Sequence, residues 1–414
     1  MNMRLQSIIA LTVCGMFLFL KYITQLFPSL IGTTLMEQYH MNGLGLAILA
    51  SSYYYSYTVM QIASGVILDK YNLKYAATLA ILFIAIGLYA FTHAHSLWAM
   101  CLSRVLMGIG CSFATTLYMK AASLWTPAKA FSIISSFLAT ATMVGAAVGS
   151  APVAFLFQSI GWHQGLLLVA YIAFALSFLA WFFVRQQPSD ALIDTPSVYR
   201  FKEVLFNKDN LYLLLYSGFT FSPVVILGGL WGVPYLQLKF HAEASEVAKL
   251  MSLMFLGHAV GSPIWAIVSS YLNNKKHIMM LANVMSCTAL SMILYAQTSY
   301  LSSQLLFFTF GFSVGAFMLS FDICRQINSV AVMGFAVAFI NSGEGIVSSV
   351  LEPSIGIILD WLKPAQAMHF TLPSYQLALG MLPLCYVIST WTLFKLPFKE
   401  RNTSFWTPLK LRIN

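Results

Sequence analysis

The chain has 414 residues, of which 59% are hydrophobic and 8% charged, with a mean hydropathy of +0.77. A soluble domain carries roughly 25% charged residues, so a soluble fold is excluded and lipid has to be the solvent. The net charge of +9 does not point to nucleic acid, because the basic residues are scattered through short loops rather than gathered on one face.

A membrane helix needs roughly 20 mostly apolar residues, and about twelve such runs follow one another: 6–31, 43–67, 75–93, 97–121, 131–157, 163–184, 211–236, 247–270, 277–296, 301–323, 331–358 and 375–396. The first run is preceded by Arg4 and is too long for a signal peptide, whose apolar region spans roughly 7–15 residues. The runs lack the alternation of a membrane barrel. The six cysteines fall in or beside apolar runs without CxxC spacing, and are expected to be apolar fillers. The longest polar interruption, Arg185 to Asn210, contains Val198-Tyr-Arg-Phe201-Lys-Glu-Val-Leu205, whose apolar and basic residues alternate at helical spacing. This predicts a short helix lying on the membrane surface. The expected organisation is a six-helix bundle over 1–184, a cytoplasmic central loop over 185–210, a second six-helix bundle over 211–396 and a cytoplasmic tail over 397–414. Two halves of this kind are the layout of a transporter built from repeats. With both ends placed inside, most of the 22 Lys and Arg residues fall on the inner side, while Lys239, Lys249 and Lys363 fall outside. This asymmetry favours cytoplasmic termini.

Between the second and third runs lies Gly65-Val-Ile-Leu-Asp69-Lys70-Tyr71-Asn72-Leu73-Lys74. The fourth run carries Arg104-Val-Leu-Met-Gly108-Ile-Gly110, the fifth Gly145-Ala-Ala-Val-Gly149-Ser-Ala-Pro152, followed by Gly161-Trp162-His163. In this order and at these spans the chain resembles the major facilitator superfamily over essentially its whole length. The departures are Asn72 where the family has glycine, which Asn tolerates through its access to left-handed backbone, and Leu73 where it has arginine. The second-half turn, Ser269 to Lys276, keeps the positive charge but lacks the aspartate. Lys21-Tyr22, Gln25, Pro28-Ser29, Tyr53 to Tyr57, Gln61, Trp231-Gly232, Pro353-Ser-Ile-Gly356 and Asp360 are similar to the bacterial phagosomal-transporter group of metabolite importers. The resemblance implies an all-α membrane protein of twelve transmembrane helices in two six-helix bundles, working by alternating access. It also implies a gating role for Gly65, Asp69, Lys70 and Lys74, with Asp69 stabilising the outward-open state, and a coupling role for Arg104, which in the family faces the interior.

An ionisable residue at membrane depth is costly and needs a partner, a watery cavity or a function. Lys21 lies mid-span with Gln25 one turn on, and Arg104 lies in the outer half of its span; both are candidates for an anionic substrate group, the alternatives being an ion pair that holds helices together for Lys21 and an arginine capping backbone carbonyls for Arg104. Glu344 stands between Gly343 and Gly345 and near Asn341, as a proton carrier or a partner of the two cations. Glu352, two turns on, is a weaker relay candidate. His258 is a second proton-coupling candidate, or a helix-to-helix hydrogen bonder. Tyr54, Tyr57 and Gln61 share a helix face and are expected to line the cavity. Trp231 is expected to stack on substrate, close a gate or anchor at the interface. Asp322 and Arg325, three apart, are expected to pair, with a structural or gating role.

The sequence therefore points to a secondary transporter of a small polar, anionic or zwitterionic metabolite such as an amino acid, nucleoside or organic acid. The expected mode is proton-coupled uptake across a bacterial inner membrane by a monomer without cofactor, metal or nucleic-acid partner. The glycines at 145 and 149 lack the Lys-Ser/Thr of a phosphate loop, and neither HExxH nor GxSxG occurs, so neither ATP hydrolysis nor an embedded enzyme is expected. The alternatives left open are a proton-driven drug or siderophore exporter and a non-transporting membrane sensor.

Overall fold

The computed structural model describes residues 3–125, 128–184, 198–272, 274–329, 332–363 and 370–396, and among these there is no strand. Among the described residues, twelve rods cross the molecule. In the first half they are α1 (Met3–Gln38), α2 (Gly43–Lys70), α3 (Leu73–Thr92), α4 (Leu97–Cys111) continued by α5 (Ala114–Trp125), α6 (Ala128–Ile160) and α7 (Trp162–Phe183). A short α8 (Val198–Leu205) falls where the surface helix is expected. In the second half, α9 (Lys208–Ile226) passes through a π-helical turn, Leu227–Trp231, into α10 (Gly232–Phe240). Then come α11 (Ala244–Leu272), α12 (Lys275–Tyr295), α13 (Tyr300–Val314) joined through a 3-10 turn to α14 (Leu319–Ile327), α15 (Met333–Trp361), and α16 (Leu372–Leu379) followed by α17 (Met381–Lys395). The tail beyond 396 and most of the central loop lie outside the described residues.

Helix starts are set by local chemistry. Asn42, Asn72, Ser96, Asn207, Asn274, Ser299 and Thr371 each accept a hydrogen bond from an amide of the turn they open. Asn72 sits at φ −60 rather than in the left-handed region, so it stands in the signature turn as a cap and not as a glycine substitute. The expected continuous spans are broken in four places, after Cys111, at Leu227–Trp231, at Gly315–Met318 and at Gly380. Three of these sites contain glycine, and the π turn follows Pro223, which withholds a backbone donor.

The outer surface is apolar. Leu102, Phe155, Phe178, Leu305 and Val387 are each more than 60% exposed, as lipid-facing side chains are. Ten of the rods are long and apolar enough to cross a membrane; α2 and α15 are the two others, and they carry a heavy polar load. That load turns inward, because α2 packs against α15 where the two halves meet. The second meeting line is α6 against α11.

The described hydrogen bonds between the halves run from mid-membrane to one face, the face that carries the α1–α2 and α11-opening turns. Ser150 donates to the Ala248 carbonyl at 3.1 Å, Ser252 to the Ala147 carbonyl at 2.8 Å, and Tyr55 to the Ser349 carbonyl at 3.1 Å; Gln158 meets Glu243. This is called the sealed face below. The opposite, basic face carries Lys74, Lys120, Lys202, Lys275, Lys276, Arg325 and Lys395 at its helix ends.

Within the second bundle, α11 and α13 approach to backbone contact. A Cβ at Gly311 would overlap the Met254 carbonyl oxygen and lie 2.7 Å from its carbon. Gly311→Ala is therefore expected to cost about 1–3 kcal/mol and to lower the melting temperature of the purified protein in detergent; an unchanged melting curve would contradict this packing.

Candidate substrate and coupling site

The charged residues at membrane depth gather where α1, α2, α4 and α15 converge. Arg104 on α4 is wholly buried. Its Nη1 donates to the Thr24 carbonyl at 2.6 Å, and the guanidinium lies 5.1 Å from the Phe27 ring centroid and 4.7 Å from that of Tyr53. Both rings lie within cation–π distance of the guanidinium. Its Nε and Nη2 have no partner. On α15, Glu352 is also wholly buried, and its Oε2 accepts from Ser51 at 3.0 Å while Oε1 is unpartnered. The Tyr54 hydroxyl accepts from Gln25 Nε2 at 3.3 Å and stands within electrostatic reach of both Arg104 and Glu352. The π turn closes over this group: a Cβ on Gly229 would lie 2.9 Å from the Tyr54 hydroxyl and 3.9 Å from Glu352 Oε1.

A second charged level lies nearer the basic face. Lys21 on α1 is buried, its Nζ 4.5 Å from the Tyr22 ring and 5.1 Å from the Tyr57 ring. It feels the charge of buried Glu344 on α15. Glu344 and Glu352, eight residues apart on one helix, are separated by about 12 Å of rise. No ion pair within 4.0 Å joins Lys21 to Glu344 or Arg104 to Glu352. Buried amide oxygens of Gln25 and Gln61 are likewise unpartnered. Polar groups at this depth without protein partners are exceptional, and their concentration on four converging helices marks a place where something else supplies the partners.

Of the expected residues, Gln25 meets Tyr54 beside Arg104, Tyr57 lies against Lys21 near Glu344, and Gln61 stands one turn beyond Tyr57 on α2. Asn341 is half-buried one turn before Glu344. His258 stands apart. It is buried edge-on against Phe221, with ring centroids 5.5 Å apart, its Nδ1 has no partner, and no hydrogen bond or ion pair joins it to the charged group. Trp231 is wholly buried in the π turn, edge-on to Tyr375 at 6.2 Å, which rules out interfacial anchoring. Its Nε1 is unpartnered.

The expected pairing of Asp322 with Arg325 is not formed. Asp322 instead meets Lys275 at 3.3 Å, and Arg325 is exposed. The partner comes from the next rod because α14 ends beside the start of α12, a proximity that spacing within one helix does not reveal. With side chains 30% and 57% exposed, the pair contributes about 0–1 kcal/mol; Asp322→Asn is expected to leave thermal stability almost unchanged. In the signature turn, Gly65 faces open space and Lys74 lies 4.0 Å from the Trp181 ring, tying α3 to α7 within the first bundle. The side chains of Asp69 and Lys70 lie outside what is described. Lys120 donates to the Leu68 carbonyl beside that turn.

Tyr53, Phe27 and Ser51 escaped the sequence reading. Choosing the face through Tyr54 hid that Tyr53 and Tyr57, four apart, stack at 5.6 Å, with Arg104 close to the first ring and Lys21 close to the second. A cavity of about 300 Å³ lies elsewhere, on the basic half of the first bundle, lined mainly by α1 residues with Tyr118 and Ala141. It contains none of the charged residues, so the site is placed by charge and unmet hydrogen bonding.

The sequence profile of the Major Facilitator Superfamily matches residues 9–352. The uncharacterized transporter YybO of Bacillus subtilis (strain 168) is 26% identical over 170 residues, which are 40% of this chain and 38% of that protein. A galacturonate transporter of Dickeya chrysanthemi is 22% identical over 171 residues, 41% of this chain and 49% of that one. The chain thus spans less than half the length of these two relatives. Among solved structures, the nucleoside transporter NupG superposes with a TM-score of 0.74 at 14% identity, covering 95% of this chain and 99% of that one. A bacterial homolog of the human lysosomal transporter Spinster, inward-facing and occupied, gives 0.75 at 14% identity, covering 96% and 98%. Twelve apolar rods in two halves, buried charge at their meeting line and a profile match over most of the sequence lead to one assignment: the chain is a multi-pass membrane protein of the Major Facilitator Superfamily, a family of transporters of small molecules.

Proposed function

We infer that the chain is a proton-coupled importer of a small polar metabolite that carries a carboxylate, amino acids and sugar acids being the classes that fit. The observation that carries this reading is Arg104, fully buried, with its Nε and Nη2 donors unpartnered and its guanidinium close to two aromatic rings. A guanidinium so presented matches a carboxylate. Lys21 adds a second positive charge, and the unmet amide and hydroxyl groups of Gln25, Gln61 and Tyr53 suit the hydroxyls or amine of such a solute. The galacturonate relative handles a sugar acid, which supports the class. Glu344, facing Lys21, is assigned as the proton carrier, because substrate anion and proton can then travel together. With the basic face in the cytoplasm of a bacterial inner membrane, as the Lys and Arg distribution favours, both termini are cytoplasmic and the sealed face is external. Asn341 and Trp231 are assigned to the lining, Gly65, Asp69, Lys70 and Lys74 to gating, and the working unit is a monomer. His258, whose ring packs edge-on against Phe221 and whose Nδ1 is unpartnered, has no place in this scheme.

Thermal unfolding of the purified protein against a panel of amino acids, sugar acids and nucleosides tests the substrate class, since a ligand that binds only the folded state raises the melting temperature. A carboxylate that stabilises the native protein and fails to stabilise Lys21→Ala is the expected result. Stabilisation by bulky apolar cations alone would overturn the reading in favour of an exporter.

A further inference from the structure

The start of α2 is capped from two sources. The first amides of a helix have no partner within it. Asn42, next in the chain, satisfies one of them: its Oδ1 accepts from Gly45 N at 2.8 Å. The two before it are satisfied from the other half of the molecule. Asp360, near the end of α15, accepts from Gly43 N through Oδ1 at 2.7 Å and from Leu44 N through Oδ2 at 2.9 Å. A carboxylate lies here on the positive end of a helix dipole with both oxygens engaged.

The backbones are shaped for this approach. A Cβ at Gly356, one turn before Asp360, would lie 2.6 Å from the Gly43 carbonyl oxygen and 3.0 Å from the Ala47 Cβ. A Cβ at Gly43 would lie 2.9 Å from the Gly356 carbonyl oxygen and 3.0 Å from the Phe370 ring. Glycine at both positions allows two helices from different bundles to touch at the sealed face, where any side chain would hold them apart.

We propose that Asp360 is a state-dependent latch: its carboxylate completes the N-terminal cap of α2 only while this face is closed, and so biases the alternating cycle toward the conformation sealed at this face. Opening the face separates α2 from α15, which breaks both charge-assisted hydrogen bonds and returns the Gly43 and Leu44 amides to water. The bias is a difference between two conformations rather than a contribution to the fold of either bundle, because each half retains its own helices when the contact opens. The latch needs neither a particular substrate nor a particular coupling ion, so it stands or falls separately from the carboxylate assignment above.

The test is a distance measurement across the sealed face in the full-length protein. Spin labels are placed at the exposed positions 95 and 241, one on each half, in a background with the six cysteines replaced. The distance distribution is read by double electron–electron resonance without added substrate. Asp360→Ala is expected to raise the ratio of long to short distances by at least about tenfold, the lower bound for losing even one charge-assisted hydrogen bond. Asp360→Asn, which keeps one acceptor, is expected to fall between the two. Should Asp360→Ala not yield folded protein, the carboxamide variant is compared with wild type alone. A distribution unchanged from wild type in the folded variants would overturn the proposal.

Discussion

Arg104→Lys is expected to keep the fold and lose most of the substrate affinity. The ammonium would preserve the positive charge beside Phe27 and Tyr53, but it cannot offer the paired Nε and Nη2 donors that match a carboxylate. The Thr24 carbonyl, now served by Nη1 at 2.6 Å, would compete for whatever donors the shorter head can reach. Hydrogen bonds to charged groups contribute about 1.5–3 kcal/mol each, so losing one correctly placed donor weakens binding roughly ten- to hundredfold. Calorimetric titration with the solute found by thermal screening gives the number. An affinity within twofold of wild type would show that the guanidinium edges do not face the substrate. Arg104→Ala is the harsher change. It strips the two rings of their shared cation and leaves Glu352 without the one positive charge near it, so loss of stability is expected alongside loss of binding.

The second large effect is expected from Glu344→Gln. Glutamine has nearly the shape of a protonated glutamate but can neither take up nor release a proton. In proteoliposomes, accumulation of substrate driven by an imposed proton gradient is expected to fall to the level of empty vesicles. Exchange of labelled for unlabelled substrate at equal concentrations is expected to persist, because the helices can still reorient around a bound solute. Loss of both activities together would assign Glu344 to the fold or to substrate binding instead. His258→Gln serves as the comparison. Its ring touches Phe221 and no charged group, so gradient-driven accumulation is expected to continue in this variant.

Much of the architecture is legible in the residues because lipid imposes simple rules. Runs of apolar residues have to be helices, and short polar links have to be turns. The breaks inside rods were less legible. The π turn at Leu227–Trp231 has no signal in hydropathy, since the rod is apolar on both sides of it. Charge at membrane depth was legible as buried residues: Lys21, Arg104 and Glu344 are all buried, Arg104 on one level and Lys21 with Glu344 on the other. Rows of neighbours were not. Tyr53 was hidden by choosing the face through Tyr54, and the Asp322 partner lies on another rod. Asp360 and Gly43 are 317 residues apart in the chain, and nothing in either segment announces the other. Their meeting follows from the packing of α2 on α15.

The measurement that bears most directly on the central claim is solute uptake into proteoliposomes containing the purified protein, with the interior made alkaline relative to the bath. Radiolabelled carboxylates, an uncharged nucleoside and a bulky lipophilic cation are compared. The account predicts that at least one carboxylate accumulates above its external concentration, that a protonophore abolishes the accumulation, and that Lys21→Ala vesicles do not show it. Accumulation of the nucleoside in wild-type and Lys21→Ala vesicles alike, with no carboxylate concentrated, would contradict it.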